Sequence, residues 1–187
     1  VAELKRGGLG SPEDLILKAL SKANAVIYDY SITTPNCRGM GTTLVLAMAF
    51  KSRYVAANIG DSRLYYFDGD SLTQVTEDHS YVAELVAAGQ ITREEAARHP
   101  RRNIITRALG TREQEQADTF KGSWKAGDML MLCTDGLFGV LEDAEMARVL
   151  REEADMEAAC ERLVEIALYG GSTDNISVAL IRNEEGQ

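Results

Sequence analysis

A chain of 187 residues, 45% apolar and 26% charged, has the length and composition of one soluble globular domain with a core of useful size. Its formal net charge of −9, from 29 acidic against 20 basic residues, argues against non-specific binding to nucleic acid, which needs a basic surface. No apolar run approaches the roughly 18 residues that span a bilayer, and the opening Val-Ala-Glu-Leu-Lys-Arg-Gly-Gly lacks the apolar centre of a signal peptide, so neither nucleic acid nor membrane is an expected partner.

The first element is signalled by Ser11-Pro12-Glu13-Asp14, an N-cap followed by proline and first-turn acids. Leu15, Ala19, Leu20, Ala23, Val26 and Ile27 then recur at helical spacing, which predicts a helix over about 12–29. From Thr42 the period changes. Four strand-like segments follow, Thr42 to Phe50, Tyr54 to Ile59, Leu64 to Phe67 and Leu72 to Thr76, with Asp68-Gly69-Asp70 as a hairpin signal. Strands joined so closely predict an antiparallel meander.

Between 79 and 110 the pattern is helical again. Ser80 is placed to cap a helix through Val82, Leu85, Val86 and Ala87 that Gly89 ends, and Thr92-Arg-Glu-Glu95 is a capping box for another that His99-Pro100 stops. Two short helices between strands suggest an excursion from the sheet, of the kind that forms a flap. The continuous apolar run Met129 to Cys133 reads as a strand buried on both faces. Asp143 is then expected to cap a helix to about Glu153, and Asp155 another through Ala159, Leu163, Ile166 and Ala167, closed by Gly170-Gly171. Asn175 to Arg182 alternates as a final strand.

Three aspartates share one local context, a strand end with glycine beside or just before it. They are Asp61 in Ile59-Gly-Asp-Ser-Arg63, Asp135 in Cys133-Thr-Asp-Gly-Leu137 and Asp174 in Gly170-Gly-Ser-Thr-Asp-Asn-Ile176. Carboxylates gathered at one sheet edge would suit hard cations such as Mg²⁺ or Mn²⁺. The same words also make ordinary turns, and Asp174 is placed to cap one through its side chain, so spacing leaves both readings open. Asp68, Asp70, Asp118, Asp128 and Asp143 read as turn or cap residues. His79 and His99 lie beside no candidate nucleophile and read as structural, and Cys133, inside the apolar strand, reads as an inert core thiol. Three widely spaced cysteines (Cys37, Cys133, Cys160) form neither a disulfide framework nor a zinc motif, which points to reduced thiols in a cytoplasmic protein. Gly39-Met-Gly-Thr-Thr43 is not a dinucleotide fingerprint, and no Walker-type loop occurs.

At these residues the chain resembles the metal-dependent Ser/Thr protein phosphatase family (PPM, type 2C), particularly its bacterial members. Six words stand in the family's order: Gly39-Met-Gly-Thr-Thr43, Ile59-Gly-Asp-Ser-Arg63, Thr76-Glu-Asp-His-Ser80, the stretch His99 to Gly110, Leu132-Cys-Thr-Asp-Gly-Leu137 and Gly170-Gly-Ser-Thr-Asp-Asn-Ile-Ser177. The resemblance runs from about residue 15 to the end. It implies an α+β fold, an αββα sandwich of two antiparallel sheets flanked by helices, in one domain over 1–187 with a flap at about 79–110. Asp135 and Asp174 match ligands of a two-metal core of Mn²⁺ or Mg²⁺, and Asp61 matches a ligand of a third, weaker ion. The implied reaction is hydrolysis of phosphoserine or phosphothreonine on phosphorylated protein substrates by a metal-activated water.

The chain departs from the family at one end. Members begin with strands bearing an arginine that grips phosphate, an acidic motif and an Asp-Gly-x-Gly-Gly word whose aspartate bridges the two core metals, and none of these words occurs here. The expectation is therefore a domain incomplete at its N-terminus, with half of a metal site and with sheet edges uncovered. Such edges invite pairing, in an intertwined or edge-paired oligomer or with a separate N-terminal fragment. The competing expectation is a naturally short, non-catalytic interaction module or pseudophosphatase.

Overall fold

The computed structural model describes residues 10–184; the polar opening lies outside them. Helix α1 (Pro12–Thr33) begins at the foreseen cap, where Ser11 Oγ accepts from the Asp14 N–H and the Asp14 carboxylate accepts in return from the Ser11 N–H. It runs four residues past the expected end. Ser31 and Thr33 donate their hydroxyls to the carbonyls of Tyr28 and Asp29, so these otherwise poor helix formers are satisfied inside the helix.

Four strands follow, β1 (Leu44–Ala49), β2 (Arg53–Ile59), β3 (Arg63–Phe67) and β4 (Leu72–Gln74), but they do not form one meander. Two antiparallel sheets are present, one of order β1-β2-β5 and one of order β4-β3-β6-β7, with β5 at Asp118–Ser123, β6 at Met129–Cys133 and β7 at Val178–Arg182. The hairpins β1–β2 and β3–β4 belong to different sheets, because the chain changes layer at Gly60. There φ is +103°, and a Cβ would stand 2.3 Å from Thr43 Cγ2, so only glycine fits the crossing. Strand β5 was not expected from the pattern. Its Asp-Thr-Phe-Lys-Gly-Ser sequence places one large apolar side chain, Phe120, against the core, and pairing with β2 from Arg53↔Ser123 to Asn58↔Asp118 supplies the rest of its order.

Alternation along each strand sorts the core into three layers. Leu130 and Leu132 of β6 face the other sheet with Leu64, Tyr54, Ala56 and Trp124. Met129, Met131 and Cys133 face outward against Met146, Val149 and Leu163 of the helices α5 (Asp143–Glu152) and α6 (Met156–Tyr169). On the opposite side Val55 and Ala57 of β2 pack under Ile16 and Leu20 of α1. This is the αββα sandwich, and β6 is buried on both faces as its apolar run requires. Side chains such as Met131 and Leu163, wholly removed from water, contribute about 2 kcal/mol each.

The two short helices of the excursion are α2 (Tyr81–Ala87) and α3 (Arg93–Ala97), capped by Ser80 and Thr92 as read from the sequence. A one-turn helix α4 (Asp135–Phe138) follows β6. The cap of α5 is corrected: Glu142 holds the N-cap position without a side-chain bond, and Asp143 is the first helical residue, where its charge favours the helix dipole. Asp155 caps α6 by accepting from the Ala158 N–H. Asp68 is a turn acceptor for the N–H groups of Asp70 and Ser71. Among the described residues no helix is long and apolar enough to cross a membrane.

Candidate metal centre

Strands β3, β6 and β7 lie side by side, with Arg63 opposite Cys133 and Cys133 opposite Val178. Antiparallel pairing then sends Asp61, just before β3, Asp135, just after β6, and Asp174, in the loop before β7, to the same end of the sheet. The loop at 172–177 is seated on the β6–α4 junction. Thr134 donates its N–H to Ser177 O at 3.1 Å and its hydroxyl to Asn175 O at 3.2 Å, and Ser172 Oγ donates to Gly136 O at 2.8 Å. Gly136 permits this closeness, since a Cβ there would lie 2.4 Å from Asn175 O.

Electrostatics links two of the carboxylates. Burial, and next the Asp135 charge, push the Asp61 carboxyl above its ordinary value; Asp78 adds to the rise and Arg63 opposes it. Asp174 is exposed, and its Oδ1 accepts from the Asn175 N–H at 2.7 Å, a contact with its own neighbour. Oxygen-only donors of like charge, one of them disfavoured as an anion by its neighbour, are the chemistry that a hard divalent cation relieves. No three His, Cys, Asp or Glu side chains close into a complete ligand set among the described residues. The aspartates therefore fit a cation as part of a set.

The turn that presents Asp61 is clamped by residues that motif spacing did not reveal. Gly60 donates its N–H to His79 Nδ1 at 3.1 Å, while Gly60 O accepts from the His79 N–H at 2.9 Å and from Asn58 Nδ2 at 3.0 Å. With Nδ1 accepting, Nε2 carries the proton and donates to Asp118 at 3.0 Å; Arg107 donates to the other Asp118 oxygen at 2.9 Å. Burial resists ionisation of Asp118, but the His79 and Arg107 contacts outweigh it and hold its carboxyl below the usual range. Asp118 is thus no turn or cap residue: it opens β5 and orients His79, whose structural role stands. Asp128 is a turn acceptor for the Lys125 N–H, yet it also accepts from Tyr66 OH at 2.6 Å, tying β3 to that turn.

Arg63 was likewise missed. Its guanidinium donates to Asp78 through Nε and Nη2, at 2.9 and 2.7 Å, and lies 3.7 Å from the Phe138 ring centre on α4. The partners are 15 and 75 positions away, and the only local hint was an arginine two residues after the aspartate. Cys133 is buried, with its thiol pushed up to about 12 by desolvation, an inert core group as expected.

Comparison with known proteins follows the same architecture. The sequence model of the family described as Protein phosphatase 2C matches residues 11–168. The Serine/threonine phosphatase stp of Listeria innocua is 39% identical over 169 residues, covering 90% of this chain and 67% of that protein. Protein phosphatase PhpP of Streptococcus pneumoniae is 40% identical over 149 residues, covering 79% of this chain and 61% of that one. Among solved structures, Serine/threonine phosphatase Stp1 from Staphylococcus aureus superposes with a TM-score of 0.90 at 35% identity, over 97% of this chain and 72% of that chain. The catalytic domain of the serine/threonine protein phosphatase PstP, solved in complex with two manganese ions, gives a TM-score of 0.81 at 32% identity, over 96% of this chain and 74% of that chain.

Proposed function

Because the chain belongs to the protein phosphatase 2C family, we propose that it is the C-terminal part of a catalytic domain that hydrolyses phosphoserine and phosphothreonine on proteins with Mn²⁺ or Mg²⁺. The observation that carries this reading is the delivery of Asp61, Asp135 and Asp174 to one sheet edge, with Asp135 near enough for its charge to oppose the ionisation of Asp61. Asp135 and Asp174 would hold two core ions, and Asp61 a third. The ions would supply an activated water and offset charge on the phosphoryl oxygens.

This chain's residues do the positioning. Thr134 and Gly136 fix the distance between the Asp135 and Asp174 loops, and the Gly60–His79 clamp fixes Asp61. Hydrolysis then needs no side-chain nucleophile, in keeping with the inert Cys133. The chain spans 67% of the Listeria innocua relative, and we assign the bridging carboxylate and the phosphate-gripping arginine to the part not spanned. Residues 79–110 would act as the flap bordering the substrate. The outer edges of β1 and β7 would take strands from that missing part or from a second copy. Three free thiols are in keeping with a cytoplasmic protein.

The test is Mn²⁺-dependent hydrolysis of a phosphothreonine peptide by the longest product of the gene. Asp135→Asn should abolish turnover, by at least about 100-fold, while leaving the circular dichroism spectrum unchanged. Retained activity in that variant would sink the site assignment. Lack of activity in the parent protein would favour the non-catalytic module.

A further inference from the structure

Residues 98–107, Arg-His-Pro-Arg-Arg-Asn-Ile-Ile-Thr-Arg, hold four arginines and no acid in a chain of net charge −9. Arg107 is taken up by Asp118, and Arg63, Arg148, Arg151 and Arg162 each have a carboxylate within ion-pair distance. Arg98, Arg101 and Arg102 have none among the described residues, a state they share with Arg38, Arg53, Arg93 and Arg182, but these three alone stand together within five residues. Arg101 is nevertheless held in place: its Nη2 donates to Tyr81 OH at 2.7 Å, and its guanidinium carbon lies 4.1 Å from the centre of the Tyr81 ring. Beside the three arginines stand two exposed isoleucines, Ile104 at 47% and Ile105 at 39% exposure. A cationic patch with one member pre-oriented and an apolar flank is complementary to an acidic peptide that also carries an apolar residue.

The patch is anchored next to the candidate metal centre. Tyr81 donates its N–H to Ile104 O at 2.8 Å, Thr106 donates to His79 O at 2.8 Å, and His79 donates to Gly60 O at 2.9 Å, one residue from Asp61. Backbones so paired lie roughly 5 Å apart, so the root of the patch is about 10 Å from the Gly60–Asp61 turn. An extended peptide covers that distance in roughly three residues.

Resting on the phosphatase reading, we propose that Arg98, Arg101 and Arg102 form a selectivity surface for phosphorylated segments with acidic residues about three to four positions from the phosphorylated side chain. Phosphate itself is the concern of the metal centre. The arginines read the flank, through contacts of moderate strength that salt weakens.

The experiment is fluorescence anisotropy with labelled phosphothreonine peptides whose flanks are acidic, neutral or basic, at low and at 0.5 M salt, together with their Mn²⁺-dependent hydrolysis by the longest gene product. The acidic peptide should bind about 3- to 10-fold tighter than the neutral one at low salt, and the ratio should fall towards one at high salt. The triple variant R98Q/R101Q/R102Q should erase the ratio, and R98K/R101K/R102K should keep most of it. Equal binding of acidic and neutral peptides, or a ratio that survives the glutamine variant, overturns the proposal. The two readings fail separately: acid-selective binding without any hydrolysis sinks the phosphatase reading alone, and hydrolysis with equal binding sinks this one alone.

Discussion

Asp61 sits under two opposing demands. Its backbone is fixed by the Gly60 clamp, while burial and the neighbouring Asp135 charge disfavour its ionised form. A carboxylate held in that position costs stability that a bound cation would relieve, the usual trade between site chemistry and fold. Asp61→Asn should therefore raise the melting temperature of metal-free protein, by about 2–4 °C for each kcal/mol relieved, and reduce the further rise that Mn²⁺ produces. A lower melting temperature in that variant would show that Asp61 is instead held by favourable contacts. Asp118 behaves oppositely. Its folded-state value lies below the unfolded one, so its contribution is complete above about pH 4 and is lost as pH falls through the depressed value. With 39% of the side chain exposed, the pairs with His79 and Arg107 are worth under about 1 kcal/mol. Asp118→Asn should melt slightly below the parent protein at pH 7, and the gap should narrow as pH falls below about 4, as read by calorimetry. A gap that does not narrow in acid would mean that the side chain's shape, not its charge, supports His79.

Elements were legible where local chemistry decides them. The Thr92 capping box, the Ser11, Ser80 and Asp155 caps and the doubly buried β6 are set by residues within one or two turns of each other. Strand β5 was not legible, because Asp118–Ser123 owes its order to β2, whose paired residues lie 60 to 70 positions earlier. The division of four strands into two sheets was hidden for a related reason: a hairpin has the same alternation whichever layer it joins, and the crossing at Gly60 shows in the sequence only as one glycine. For the site, each aspartate was visible from its glycine neighbour, but the supports (His79, Asp118, Arg63 and Asp78) act across sequence distances that no motif spans. Gly136 joins the two kinds of information. In sequence it marks a sharp turn or a close approach to a ligand, and the structure shows a close approach to the Asn175 backbone. Gly136→Ala would drive a Cβ into Asn175 O, a backbone atom that cannot swing aside, at a cost of about 1–3 kcal/mol. Thermal melting should show the loss, and the Mn²⁺-induced rise should shrink because the Asp174 loop is pushed from Asp135. An unchanged melting temperature would mean that the loop's seat on α4 is soft.

At the scale of the whole molecule, the two sheets end unequally. Strand β2 is buried from Tyr54 to Ile59, whereas β1, the outer strand beside it, is nowhere better than half-buried. In the other sheet, β7 is an edge strand, and an open groove lined by Cys160, Val164, Ile176 and Val178 runs between it and α6. A strand edge next to a groove with an apolar floor between two glutamates, Glu161 and Glu165, offers both unpaired backbone groups and some surface to bury, which is the condition for adding a strand from another chain. A short edge or an inward charge would oppose such pairing, yet the side chains of β7 are Val178, Ala179, Leu180, Ile181 and Arg182, with a charge only at the far end. The 187-residue chain should consequently self-associate in solution. Light scattering should give a mass that climbs above the monomer value as concentration rises through the micromolar range. Val164→Glu places a third acid beside Glu161 and Glu165 in the groove, where like charges and lost apolar area both disfavour an incoming strand. That variant should shift the climb to higher concentration without lowering the melting temperature by more than a few degrees, since Val164 is only half-buried. A monomer mass for the parent chain at every concentration would show that these edges are protected by their own twist and side chains. The partner strand assigned to them would then have to be sought along β1 alone.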